Sequence, residues 1–204
     1  MMSRKLPLFV AAAVSALVAA TSASAFDNLR TYEQNAAAAY QTAALVDPTI
    51  ARDYPVNTRV LVRDPTEQAP GTITIDTKNR YLYLSLESGD AIRYDVGVGR
   101  EGFDWRGRAK IARKAEWPSW TPPAEMLKRR PDLPRHMVGG PENPLGARAM
   151  YLYSGGRDTL YRIHGTSEPW TIGEAVSSGC IRMLNDDVID LYSRVRIGAQ
   201  VQVL

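Results

Sequence analysis

With 204 residues, 45% apolar and 23% charged, the chain is long enough for one ordinary domain with short extras, and its composition excludes a disordered, collagenous or membrane-embedded protein. Its formal net charge is only +3, and both signs are mixed along the chain, which argues against a nucleic-acid partner.

The first elements in chain order belong to export rather than to the fold. Arg4 and Lys5 precede an apolar stretch from Leu6 to Ala20, and Ala23-Ser24-Ala25 supplies the small residues of a cleavage site. Residues 1–25 therefore read as a secretory signal; a retained anchor is the alternative, but the stretch is short for a membrane span. No cysteine follows it to carry a lipid. Cleavage near Phe26 removes two positive charges and leaves a net charge of about +1.

Residues 26–69 read as an N-terminal arm and linker. Leu29, Tyr32, Ala36, Tyr40 and Ala43 recur at helical spacing, and Pro48 and Pro55 close the segment. From Gly71 the period changes to two. Ile73 and Ile75, then Leu82, Leu84 and Leu86, then Ile92, Tyr94, Val96 and Val98 alternate with polar or aromatic residues. Turn residues at 76–79 and 88–90 separate them, so a β-meander with one buried face is expected.

Residues 99–147 carry Gly, Pro, Trp and charge with little periodicity, including Trp117 to Pro123 and Gly139-Gly140-Pro141. They read as a long irregular segment, either a rigid loop packed by its own aromatics or a lid that touches substrate. Met150–Tyr153 and Thr159–His164 read as two strands joined at Ser154-Gly155-Gly156. Asn185 is expected to cap a helix whose stripe is Val188, Leu191, Tyr192 and Val195; Asp186 and Asp187 suit its positive end. Gly198 ends it, and Val201 and Val203 mark a last strand. The expected fold is mainly β with one helix near the C-terminus.

Cysteine usage carries the chemistry. An exported protein usually pairs its cysteines, yet Cys180 is alone in this chain. Such a thiol is either buried and inert or exposed and reactive. In the strand ending at His164, Leu160, Arg162 and His164 are expected on one face, and Gly165 allows close approach of another chain. Sixteen residues after His164 comes Cys180, within Ser177-Ser178-Gly179-Cys180-Ile181-Arg182. A thiolate is favoured by an imidazole, a cation or a helix N-terminus, and His164, Arg182 and the helix near Asp186 are candidates for each. Backbone N–H groups at Gly179 and Cys180 are candidate oxyanion donors. Metal binding lacks any close ligand pair, and no phosphate-cradling loop is present, so no cofactor is expected.

Ile163-His164-Gly165-Thr166 followed by Ser177-Ser178-Gly179-Cys180-Ile181-Arg182-Met183 resembles the L,D-transpeptidases with the YkuD-type catalytic domain. The likeness spans residues 70–204 and includes Gly71-Thr72-Ile73, Tyr94 to Gly102, Trp120-Thr121-Pro122-Pro123 and Asn143-Pro144-Leu145-Gly146. It implies a sandwich- or barrel-like β domain with the Pro/Gly-rich segment as lid, located in the periplasm. It also implies a reaction on peptidoglycan stem peptides. Cys180 would attack the carbonyl of the third stem residue and release D-alanine, His164 would carry the proton, and the Gly165 carbonyl would orient the imidazole. The acyl group would pass to a stem amine or to an outer-membrane protein or lipoprotein. Arg182 would meet a substrate carboxylate, with Trp120, Ser177, Ser178 and Gly179 lining the groove. Carbapenem-type β-lactams would acylate Cys180. Ser178 stands where the family commonly has His; a hydroxyl donates a hydrogen bond but does not shuttle charge near neutral pH. Two other outcomes stay open: hydrolysis of the thioester by an L,D-carboxypeptidase or amidase, and a peptidoglycan-binding protein without catalysis.

Overall fold

Alternating apolar residues govern the first half of the structure. Ile73 and Ile75 in β2 (Ile73–Asp76), Leu82 and Leu84 in β3 (Tyr81–Ser85), and Ile92 and Tyr94 in β4 (Asp90–Asp95) all point into one core. The computed structural model describes residues 55, 57–103 and 105–204. The stretches read as an export signal and as a helical arm lie outside the described residues. Tight turns join the meander: Asp76 accepts the Asn79 backbone N–H at 2.9 Å, and Gly89 takes φ +75° at the next turn. An additional edge strand, β1 (Val60–Arg63), pairs with β4 from within the stretch read as linker.

The alternation at Val96 and Val98 does not prolong β4, which stops at Asp95. Val98–Gly99 forms β5, a separate strand that pairs later with β9 (Ala175–Ser177). The segment read as irregular needs a larger correction. Its residues Gly107–Glu116 form the ten-residue strand β6, and Ala124–Arg129 form a short helix, α1, with no buried residue. Thus there are two helices among the described residues, not one. β6 escapes detection because only Ala109 and Ile111 face the core, and a bulge at Ala112 breaks the alternation.

The second half is β7 (Arg148–Ser154), β8 (Arg157–His164), β9, β10 (Ile181–Arg182), α2 (Asn185–Arg194) and β11 (Gln200–Val203). Gly155 and Gly156, both at positive φ, make a two-residue turn between β7 and β8, and Ser154, read as part of the turn, ends β7. The sheet order is β1-β4-β3-β2-β11-β6-β7-β8-β10. The last strand therefore sits in the middle, parallel to β2 and antiparallel to β6, and welds the meander to the half that carries His164 and Cys180. Val188 and Leu191 of α2 close the core over Ile111, Met150, Leu152 and Met183. Each such side chain contributes about 1.5–3 kcal/mol on burial. In the first turn of α2, buried Asp187 accepts the N–H and the hydroxyl of Thr58 at 2.9 and 2.7 Å, tying the start of the domain to this helix.

Two local expectations also change. Leu160 does not share a regular face with Arg162 and His164, because it sits at φ +63° where the β7–β8 register shifts. The helix cap is Leu184 without a side-chain bond, and Asn185 is the first helical residue. Its carboxamide is occupied elsewhere.

Candidate active site

His164 ends β8 between Ala149 of β7 and Arg182 of β10, and is 5% exposed. Its Nδ1 lies 2.6 Å from the Gly165 carbonyl. A carbonyl only accepts, so Nδ1 carries the proton and Nε2 keeps a free lone pair. Burial lowers the His164 pKa to about 4; the Gly165 bond opposes this, and the charges of Arg182 and Arg162 add to it. At neutral pH the ring is an uncharged base.

Cys180 follows a loop braced from within. The Ser177 hydroxyl donates to the Cys180 carbonyl at 2.6 Å, and the Gly179 N–H donates to Ser177 Oγ at 3.1 Å. Gly179 has φ +103°, and a Cβ there would meet the Tyr161 ring and the Phe103 carbonyl, so only glycine fits. Tyr161 is itself fixed by stacking on Trp105 at 4.9 Å between centroids. The parallel register Ile181–Ile163 and Arg182–His164 brings Cys180 beside Arg162 of β8. The thiol donates weakly to the Leu160 carbonyl at 3.9 Å, which the bulge turns toward it.

The residue keeps some solvent contact, but burial dominates its electrostatics and raises the thiol pKa. The Arg162 backbone N–H and the charges of Arg162 and Arg182 oppose this without overcoming it. Burial thus holds the Cys180 thiol and the His164 imidazole toward their neutral forms.

Arg182 is held by Gly97 through two backbone bonds of 2.9 Å, and its guanidinium donates to Glu168 at 2.8 Å and to Thr171 at 3.3 Å. It is already ion-paired rather than an empty carboxylate receptor. Ser178 is half-buried beside the nucleophile loop. Trp120 pairs with Met137 through two backbone bonds of 2.8 Å; among the described residues no hydrogen bond or ring contact joins it to His164 or Cys180.

The sequence missed Asn185. Its Oδ1 accepts the backbone N–H groups of Ala147 (2.9 Å) and Thr166 (3.2 Å), and its Nδ2 donates to the Thr166 carbonyl (3.0 Å). A Cβ on Gly146 or Gly165 would strike this carboxamide, so both glycines exist to let three segments meet. The one sequence signal was the Asn143-Pro144-Leu145-Gly146 motif, whose last residue is one side of the clamp. No group of His, Cys, Asp or Glu suited to a metal occurs among the described residues. No described helix is long and apolar enough to cross a membrane.

A family model of the L,D-transpeptidase catalytic domain, YkuD, matches residues 70–203. The Escherichia coli protein "Probable L,D-transpeptidase ErfK/SrfK" is 35% identical over 69% of this chain and 46% of its own length. The Escherichia coli protein "Probable L,D-transpeptidase YbiS" is 34% identical over 66% of this chain and 44% of its own length. The chain thus spans about half the length of these curated relatives. A Brucella melitensis structure named "Probable carnitine operon oxidoreductase caia" is 49% identical, with a TM-score of 0.50 over 76% of this chain and 97% of that one. An L,D-transpeptidase structure from Mycobacterium smegmatis has a TM-score of 0.50 at 18% identity, covering 65% of this chain and 58% of that one, which is a likeness of fold.

Proposed function

Because the chain belongs to the YkuD family of L,D-transpeptidase catalytic domains, we propose that it is a periplasmic enzyme using Cys180 to form a thioester with peptidoglycan tetrapeptide stems. The observation that carries this reading is the Nδ1–H bond from His164 to the Gly165 carbonyl, 2.6 Å, which leaves Nε2 as a base on the strand beside Cys180. The export signal at residues 1–25 supports the location.

Neither group is charged at rest, so the proton moves when substrate arrives rather than before. His164 Nε2 takes the thiol proton as Sγ attacks the carbonyl of the third stem residue. The Cys180 N–H, which has no acceptor among the described residues, meets the oxyanion; the Gly179 N–H is committed to Ser177. Collapse breaks the amide bond, His164 returns the proton to the departing D-alanine amine, and a thioester remains. An acceptor amine then attacks the thioester, gives its proton to His164 and restores the thiol. The amine of a second stem makes a 3–3 crosslink; that of an outer-membrane protein or lipoprotein makes an attachment.

The test is product analysis with disaccharide-tetrapeptide, beside a Cys180→Ala control. Cys180-dependent crosslinked dimers are expected. Tripeptide and free D-alanine alone would make the enzyme a carboxypeptidase. Turnover that survives in the alanine variant would remove the thioester.

A further inference from the structure

The bulge at Ala112 does more than interrupt a pattern. It places Lys110 and Arg113, three residues apart, on the same outer face of the sheet, opposite Tyr153 and Tyr151 of β7. Arg108 and Lys110 share that face with Gln202 and Gln200 of β11, and Arg162 lies across from Tyr151 on β8. The Arg113 and Arg162 guanidinium groups both sit on the Tyr151 ring, at 4.3 and 4.4 Å from its centroid. Arg162 is held by Asp158 through bonds of 2.6 and 2.8 Å. Arg108, Lys110 and Arg113 are exposed, and none has a carboxylate within ion-pair distance among the described residues. Beside Arg108 and Lys110 opens a cleft of about 540 Å³, floored by Tyr153, Ile197 and Gln200.

Like charges on neighbouring positions of a sheet face oppose folding. Segregating them in a chain of low net charge signals an anionic partner. The row Arg113–Tyr151–Arg162 runs from this face to the strand position next to Cys180.

We propose that the outer face of β6, β7 and β8 is a docking track for the polymeric substrate. Carboxylate-bearing stems of a glycan strand lie against Arg108, Lys110 and Arg113, sugar rings rest on Tyr153 and Ile197, and one stem enters at Cys180. This rests on the reading of peptidoglycan as substrate.

The experiment pellets full-length Cys180→Ala protein with purified insoluble peptidoglycan over a series of salt concentrations. It is repeated with Arg108→Glu/Lys110→Glu added, with the milder Arg108→Gln/Lys110→Gln pair, and with insoluble peptidoglycan whose stem carboxylates have been converted to amides. Binding should weaken with salt, fall about tenfold in the glutamate pair and less in the glutamine pair, and fall about tenfold on the amidated polymer. In the Cys180-bearing background, the same pairs should turn over soluble disaccharide-tetrapeptide at the unmodified rate. Pelleting unchanged by the substitutions, undiminished on the amidated polymer, or absent from the start would overturn the track. Loss of soluble turnover in the unmodified protein would strike the proposed reaction instead, and the pelleting would still decide the track.

Discussion

Asn185 and Thr166 hold each other reciprocally: the Thr166 N–H donates to Asn185 Oδ1 at 3.2 Å while Asn185 Nδ2 donates to the Thr166 carbonyl at 3.0 Å. The same Oδ1 takes the Ala147 N–H at 2.9 Å. The Gly165 carbonyl that receives the His164 proton is therefore pinned by its next residue to the start of α2. Replacing Asn185 by Ala orphans two N–H groups and one carbonyl in a confined space. We expect a loss of about 3 kcal/mol in urea unfolding. Cys180 alkylation should slow more than in Leu191→Ala, a core variant of the same helix, because Asn185, unlike Leu191, is hydrogen-bonded to Thr166 next to Gly165. Equal slowing in both variants would reduce Asn185 to a stability role.

The pKa of His164 makes stability depend on acid. The folded ring titrates near 4 and an unfolded His near 6.5, so between these values the unfolded chain binds a proton that the folded chain refuses. Stability from this group is complete above about pH 6.5 and is lost as pH falls toward 4, by about 3 kcal/mol in all. Urea midpoints at pH 7 and pH 4.5 should diverge in the unmodified protein and converge in His164→Gln.

The thiol pKa is raised by burial, so iodoacetamide labelling of Cys180 should keep climbing through pH 9. A plateau already reached at pH 7 would mean a resting thiolate–imidazolium pair. That result would contradict the neutral pair derived above.

Gly179→Ala should fold but lose the geometry of the loop. The new methyl enters space filled by the Tyr161 ring and the Phe103 carbonyl, at a φ of +103°. Turnover should fall about a hundredfold, the cost of misplacing a reacting atom by about 1 Å. Near-ultraviolet circular dichroism should change with it, because Tyr161 stacks on Trp105.

Lys114 offers a contrast between stability and chemistry. Its ammonium donates to the Tyr192 and Val195 carbonyls at 2.6 and 2.8 Å, capping the C-terminal end of α2. Lys114→Met keeps the aliphatic stem and removes the cap. We expect about 1–3 kcal/mol less stability in thermal or urea unfolding and an unchanged rate of Cys180 alkylation.

The sequence by itself determined what short-range physics decides. Period-two alternation at Ile73, Ile75, Leu82, Leu84, Ile92 and Tyr94 makes the meander, because successive side chains of a strand must face opposite ways. Gly155-Gly156 makes the turn that strand twist requires, and the Val188–Leu191 stripe makes the helix. The spacing of His164, Gly165, Gly179 and Cys180 pointed to the family whose model matches residues 70–203.

Tertiary structure decided the rest. β6 is a strand because β7 and β11 flank it, although half of its residues are charged. Asn185 became a clamp rather than a cap because β7, the segment after β8 and α2 converge on it. The Cys180 thiol is held toward its neutral form because enclosure outweighs the charges of Arg162 and Arg182. Which residues alternate is written along the chain, whereas burial and hydrogen-bond partners depend on which distant segments meet, and it is burial that sets the protonation of this site.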